Sequence, residues 1–324
     1  MPDELDLLRG ANPVPADGPH FGDGPLGHDA ERRLNQLLHG SGPFGRRRTR
    51  WMWSLATVAV VAVTALALLL AGPDTVPAVA APRPLLVQAG STPVPLARMA
   101  EIAEAAAADG SPTLRKGTHV QTWSMGMSED EPPITLPVER VVRWRADATH
   151  TELVVATDPR HPGRPVLSEG DGQPRMVEDG HVISEQTFGP SWSDAPPEST
   201  PPHDPGLLKA YLQETQYPST TLTTRELLDA VRVLLDHWTL GAPEDAAVAR
   251  LLADAGGLRP VGRVTDRLGR PGQAYVHDGQ GSRKMLIMDP ATGAVLGLED
   301  TATSAEPEWG LKVGDVMDYS AWMR

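Results

Sequence analysis

The hydrophobic pattern of this chain changes character twice. From Trp51 to Ala71 there are 21 residues without a charge, entered directly from Arg46, Arg47, Arg48 and Arg50. As a helix at about 1.5 Å per residue the run spans roughly 31 Å, close to a hydrocarbon core of about 30 Å. Gly72 and Pro73 end it. Beyond it the apolar residues are spaced as in amphipathic helices and half-buried strands. A helix is predicted from about Pro95 to Ala108, with Leu96, Met99, Ile102, Ala103 and Ala106 on one face. Strands are predicted over 117–127, 138–146 and 149–157, and less clearly over 165–168, 174–178 and 180–187.

Three helices follow. The first starts at Asp204-Pro205, an N-cap with Pro behind it, and is expected to bury Leu207, Leu208, Tyr211 and Leu212. The second opens with a capping box from Thr223 to Glu226 and carries the stripe Leu227, Leu228, Val231, Leu234, Leu235, Trp238. The third has Pro243, Glu244 and Asp245 near its start and Gly256-Gly257 as its stop. Strands return at 258–266, 272–278, 283–289, 293–300 and 311–320, with the turn Asp289-Pro290-Ala291-Thr292-Gly293 between two of them. The expected fold class is α+β: one transmembrane helix, then an exported domain with a curved, largely antiparallel sheet and a helical insert.

This pattern divides the chain into a cytoplasmic tail (1–50), a transmembrane segment (51–71), a Pro-rich linker (72–93) and an exported domain (94–324). Four Arg precede the uncharged run and only Arg83 is basic in the twenty residues after it, which predicts an N-terminus inside. Trp51 and Trp53 fit an aromatic anchor at the inner leaflet. A cleaved signal peptide is the rival reading, since Ala78-Val79-Ala80 has a small-x-small pattern. The long preceding segment and long apolar run count against it. The tail holds two short amphipathic stretches, 3–9 and 29–39, and residues 1–39 are a candidate docking segment for a cytoplasmic protein.

The net charge is −13, and the tail's seven acids balance its seven Arg, so the whole excess falls on the region after the run. An acidic exported domain argues against nucleic acid as a partner. There is no Cys, which excludes disulfides, thiolate metal sites and Cys nucleophiles. Gly22-Asp23-Gly24-Pro25-Leu26-Gly27 matches a dinucleotide fingerprint in letters only: no strand precedes it and Pro25 blocks a helix start. No His pair has metal-ligand helical spacing, so neither cofactor nor metal is expected. The reading is non-enzymatic.

Two features suggest binding. Trp123, Met125, Met127, Trp144, Met285 and Met288, with Met176, fall on predicted strands and could line an adaptable apolar cavity; ordinary core is the alternative. The loop from Gly189 to Pro205 holds six Pro and one aromatic, Trp192, and is expected to be a mobile, dispensable lid.

The opening Asp3-Glu4-Leu5-Asp6-Leu7-Leu8-Arg9, the basic stretch before one apolar run, and the block from Lys284 to Leu298 resemble an uncharacterised family of actinobacterial single-pass membrane proteins. That resemblance implies no activity. The order of elements is also similar to lipoprotein-carrier and sigma-regulator domains, in which an open half-barrel wraps helices. The expectation is a membrane-anchored extracytoplasmic sensor or binding protein for an apolar ligand. A regulator whose tail binds a partner such as a sigma factor is the alternative, and an envelope hydrolase is a third.

Overall fold

The computed structural model describes residues 82–110, 112–126, 133–169, 173–190, 195–216 and 221–324. The chain divides into two units, Met1–Gly72 and Pro73–Arg324, and the described residues belong to the second.

Its elements run α1 (Leu96–Ala106), β1 (Arg115–Gly126), β2 (Ile134–Trp144), β3 (His150–Ala156), β4 (Val166–Ser168), β5 (Arg175–Val177), β6 (His181–Phe188), α2 (Pro205–Thr215), α3 (Thr224–His237), β7 (Trp238–Thr239), α4 (Ala242–Ala255), β8 (Arg259–Thr265), β9 (Pro271–Asp278), β10 (Ser282–Met288), β11 (Val295–Ala302) and β12 (Val316–Trp322). Ten strands form one antiparallel sheet in the order β6-β3-β2-β1-β12-β11-β10-β9-β8, with β7 also paired to β1. Strands β4 and β5 form a separate hairpin. Two meanders are thus joined at the centre by β1 and β12, whose register sets Trp123 opposite Tyr319.

The sheet is apolar on both faces in its C-terminal half. In β10, Leu286 and Met288 enter one core while Met285 and Ile287 enter another, as a period of two requires. The first core lies under the helices: Met99, Ala100 and Ala103 of α1 meet Leu208 and Leu212 of α2, the Leu stripe of α3 and Leu252 of α4. The capping box at Thr223 and Glu226 is formed, and Asp204 caps α2 through Leu207 N. Leu207 itself is 63 % exposed, against expectation; Leu208 takes the inward position. The Asp289–Gly293 turn packs on α1. Gly293 has φ +69°, and a Cβ there would sit 2.6 Å from that of Ala103.

The second core gathers Trp123, Val264, Ile287, Val316 and Tyr319. A strap of residues 82–91 closes over part of it. Leu85 N donates to Glu299 Oε1 at 2.9 Å and Gln88 N to Arg263 O at 2.8 Å.

The expected fold class is corrected. Among the described residues no helix is long and apolar enough to cross a membrane. The longest, α3 and α4, have 14 residues each and reach about 21 Å. Residues 51–71, with Trp51 and Trp53, lie outside the described residues, as do Arg46, Arg47, Arg48 and Arg50. In chain order α2, α3 and α4 fall between β6 and β8. The β1–β12 pair makes the strands one large sheet, and α1 joins α2, α3 and α4 in a single layer on it.

Candidate functional site

The first residues of β1, Arg115-Lys116-Gly117-Thr118-His119, run between two different neighbours. Arg115 and Lys116 pair with Thr239 and Trp238 of β7, and Gly117 pairs with Arg143 of β2. Gly117 has φ +112°, and a Cβ would meet Val142 O at 2.4 Å, so only glycine lets β2 come this close. Thr239 Oγ1 donates to Gly117 O at 3.0 Å and Thr118 Oγ1 to Leu235 O at 2.7 Å. These bonds tie the strand end to α3 and β7.

The result is a cleft of about 710 Å³ whose lining includes Arg115, Lys116, His119, Arg143, Arg145 and Arg324. Alternation explains the gathering. Arg115 and His119 lie four apart on β1, Arg143 and Arg145 two apart at the end of β2, and the register sets the strand ends side by side. Three of the six basic residues are engaged. His119 Nε2 is 2.5 Å from Glu139 Oε1, and Arg324 donates to Asp245 Oδ1 at 2.6 Å. Lys116 Nζ lies 3.8 Å from the centre of the Trp144 ring and 3.9 Å from Glu198 Oε2. Arg115, Arg143 and Arg145 have no carboxylate within salt-bridge distance among the described residues. Asp147, in the turn beside Arg145, directs Oδ1 to the backbone and hydroxyl of Thr149.

The Trp144 wall of the cleft is stiffened by stacking. Trp144 stacks on His150 at 4.3 Å and His150 on Phe188 at 4.7 Å, following the register across β2, β3 and β6. Burial there holds the His150 pKa below its usual value. Guanidinium groups stay charged and present forked donors that match carboxylate and phosphate oxygens. Three clustered arginines repel one another unless an anion lies between them. Among the described residues no cluster of three or more His, Asp or Glu side chains is placed to hold a metal ion.

The residues singled out for an apolar cavity do not share one face. Trp123 is fully buried in the second core, tilted against Tyr319 at 5.5 Å, with the Arg160 guanidinium 5.1 Å from its ring. Met285 shares that core, whereas Met288 is buried in the helix-side core. Met125 is half-buried, Met176 is exposed on β5, and Trp144 belongs to the basic cleft. Met127 and Trp192 lie outside the described residues, as do residues 1–39.

The Pro-rich segment is tied down where it is described. Tyr211 Oη lies 2.9 and 2.8 Å from Pro197 O and Ser199 O, which share its one O–H donor, and Trp238 Nε1 donates to Pro197 O at 2.9 Å. Burial raises the Tyr211 pKa to about 12, so the hydroxyl stays a donor. These anchors are at odds with the expectation of a free lid: Pro removes donors but leaves carbonyls, and the carbonyls of Pro197 and Ser199 find partners on α2 and β7.

The cleft was not foreseen. The apolar positions of the strands do not reveal it; its signal in the sequence is the same-face spacing of the basic residues 115/119 and 143/145.

No protein family matches the chain, and no curated protein matches it. Among solved structures it is similar, at 11 % identity over 72 % of this chain and 82 % of the other, to the dehydratase domain from the CurK module of curacin polyketide synthase, with a TM-score of 0.13. It is similar, at 14 % identity over 74 % and 84 %, to a bifunctional dehydratase-cyclase domain in ambruticin biosynthesis, with a TM-score of 0.10. Likenesses of this size carry no argument about the fold or activity of this chain.

Proposed function

We propose that this is a binding domain for a ligand bearing phosphate or carboxylate groups, held in the basic cleft and not chemically transformed. One observation carries the reading. Arg115, Arg143 and Arg145 line one cleft with no carboxylate within salt-bridge distance among the described residues, in a chain whose net charge is −13. Uncompensated like charges on an acidic protein are costly to gather, and an anion removes that cost. The apolar ligand expected from the sequence gives way to an anionic one, because Trp123, Met285 and Met288 fill packed cores. Membrane attachment through the uncharged run of 51–71 is part of this reading and rests on the sequence alone.

Calorimetric titration of the purified full chain with inorganic pyrophosphate and with citrate tests it. Binding that weakens steeply with added salt, and is lost when all three arginines become Ser, supports the reading. Absence of salt-sensitive binding to either anion sinks it.

A second reading has one observation in its favour. His119 lines the same cleft, and its Nε2 lies 2.5 Å from Glu139 Oε1, the arrangement of an imidazole oriented by a carboxylate as a general base. Turnover of a phosphate ester that is lost in His119→Gln, with pyrophosphate binding retained, would replace the binding-only reading.

A further inference from the structure

The described residues include seven exposed large hydrophobic side chains; two of them lie on the strap and a third lines a recess beside it. Leu86 is 83 % exposed and Val87 38 %, both on the strap, and Val313, between β11 and β12, is 67 % exposed. Leu85 and Val313 line the same recess, of about 400 Å³, together with Pro84, Met285, Ala302 and Gly314. The strap is held rigidly. Leu85 N is bonded to Glu299 and Gln88 N to Arg263 O, while Arg267 donates to Arg83 O at 2.9 Å. Leu86 is therefore presented outward by a fixed backbone. Arg83, on the strap, and Lys312, next to Val313 in sequence, are exposed. Apolar tips flanked by long cations suit the boundary between headgroups and acyl chains.

Position along the chain selects the partner. The strap is the first described segment after the uncharged run of 51–71, and only residues 72–81 separate them. Ten residues reach at most about 36 Å when fully extended. If the run is held in a bilayer, the strap is the part of the domain tethered nearest to it. We propose that this face, with Leu86, Val87 and Val313 at its centre, rests on the lipid surface and fixes how the domain stands there. The inference depends on the membrane reading given above but not on the anion cleft.

The absence of Cys gives a clean probe, since Val313→Cys takes one environment-sensitive NBD label. Leu207→Cys is the control: α2 lies in the helix layer on the opposite face, and Leu207 is already exposed. The labelled full chain is reconstituted into vesicles of phosphatidylcholine with a minority of phosphatidylglycerol. The label at 313 is expected to blue-shift and to be quenched by doxyl-lipid about fivefold more than the label at 207. Leu86→Asp should abolish that difference while the chain still floats with the vesicles. Equal, water-like signals at both positions with the chain vesicle-bound overturn the inference and leave the membrane reading standing. A label at 313 that is already shielded before lipid is added also overturns it, since another part of the chain or a second copy then covers the face. A chain that does not float with vesicles at all removes the membrane reading, and this inference with it.

Discussion

Arg267 and Glu299 form an ion pair with side chains only 5 % and 1 % exposed. Each also has a second tie. Arg267 donates to Arg83 O and lies 4.9 Å from the Tyr319 ring, and Glu299 accepts from Leu85 N. One buried pair thus joins the turn after β8, strand β11, β12 and the strap. Burial pushes the Glu299 pKa up, and the Arg267 charge only partly opposes it. The pair therefore does more to specify the arrangement than to supply net stability.

Removing one member should be worse than removing both. Arg267→Met leaves a carboxylate in the interior and is expected to cost about 3–5 kcal/mol. Arg267→Met combined with Glu299→Leu should recover a large part of that loss. Urea unfolding of these two variants and of Glu299→Leu alone checks this. If the double variant falls by as much as the sum of the singles, the partners act independently and the pair is not a unit.

Helix α3 presents two different stripes. Leu234 is fully buried, and Leu234→Ala should cost about 2–5 kcal/mol. Arg225, Asp229 and Arg232 form a second stripe, facing a row of sheet residues. Lys284 Nζ reaches Asp229 and Asp300 at 2.8 and 2.9 Å, and Arg232 lies 3.6 Å from Asp318. Arg232→Ala is expected to cost up to about 1 kcal/mol, a partly exposed ion-pair value. Thermal melts that rank Arg232→Ala level with Leu234→Ala would show the ionic stripe to be as strong a contact as the apolar one.

Much of this was legible where the signal is local. Thr223 and Glu226 lie three apart and cap their helix as such a pair should, and the DPATG turn falls between two strands. What sequence reasoning missed is non-local. Trp123 and Tyr319 are almost 200 residues apart, and no periodicity announces that their strands pair. That pairing turns two groups of strands into one sheet. The split of Met285 and Met288 between two cores follows instead from their odd spacing on β10. The cleft needed the β1–β2 register, because Arg115 and Arg143 each read alone as ordinary solvent-facing residues. The anchoring of the Pro-rich segment runs through the backbone carbonyls of Pro197 and Ser199, which every residue type carries and no composition argument can single out.

Within the cleft, single changes should separate attraction from competition. Arg143→Ser is expected to weaken pyrophosphate binding about tenfold, a loss of roughly 1.4 kcal/mol, while shifting stability by less than about 0.5 kcal/mol because Arg143 is exposed. Glu198→Gln should strengthen binding two- to fivefold, roughly the effect of removing one weak competing contact at 3.9 Å from Lys116. Calorimetry measures both. A loss of affinity in Glu198→Gln would mean that Glu198 positions Lys116 rather than competing for it.

The last expectation concerns pH. Asp245 is buried at the start of α4, and desolvation raises its pKa from 3.8 to about 6 even though Arg324 lies 2.6 Å away. Between about pH 4 and 6 the folded state therefore holds a proton at Asp245 that the unfolded state has released. The fold binds more protons there, so this group's contribution is fully present below pH 4 and is lost as the pH rises through 6. The difference corresponds to roughly 3 kcal/mol as an upper bound. Asp236, Glu299 and Asp318 are raised by burial in the same direction, so the overall profile does not isolate Asp245. Asp245→Asn does. The stability of the native chain relative to Asp245→Asn should rise as the pH is lowered from 7 to 4, with most of the change between 6 and 4. Urea midpoints at half-unit pH steps would show it. Parallel profiles for the two proteins would mean that the Arg324 guanidinium compensates the buried carboxylate fully.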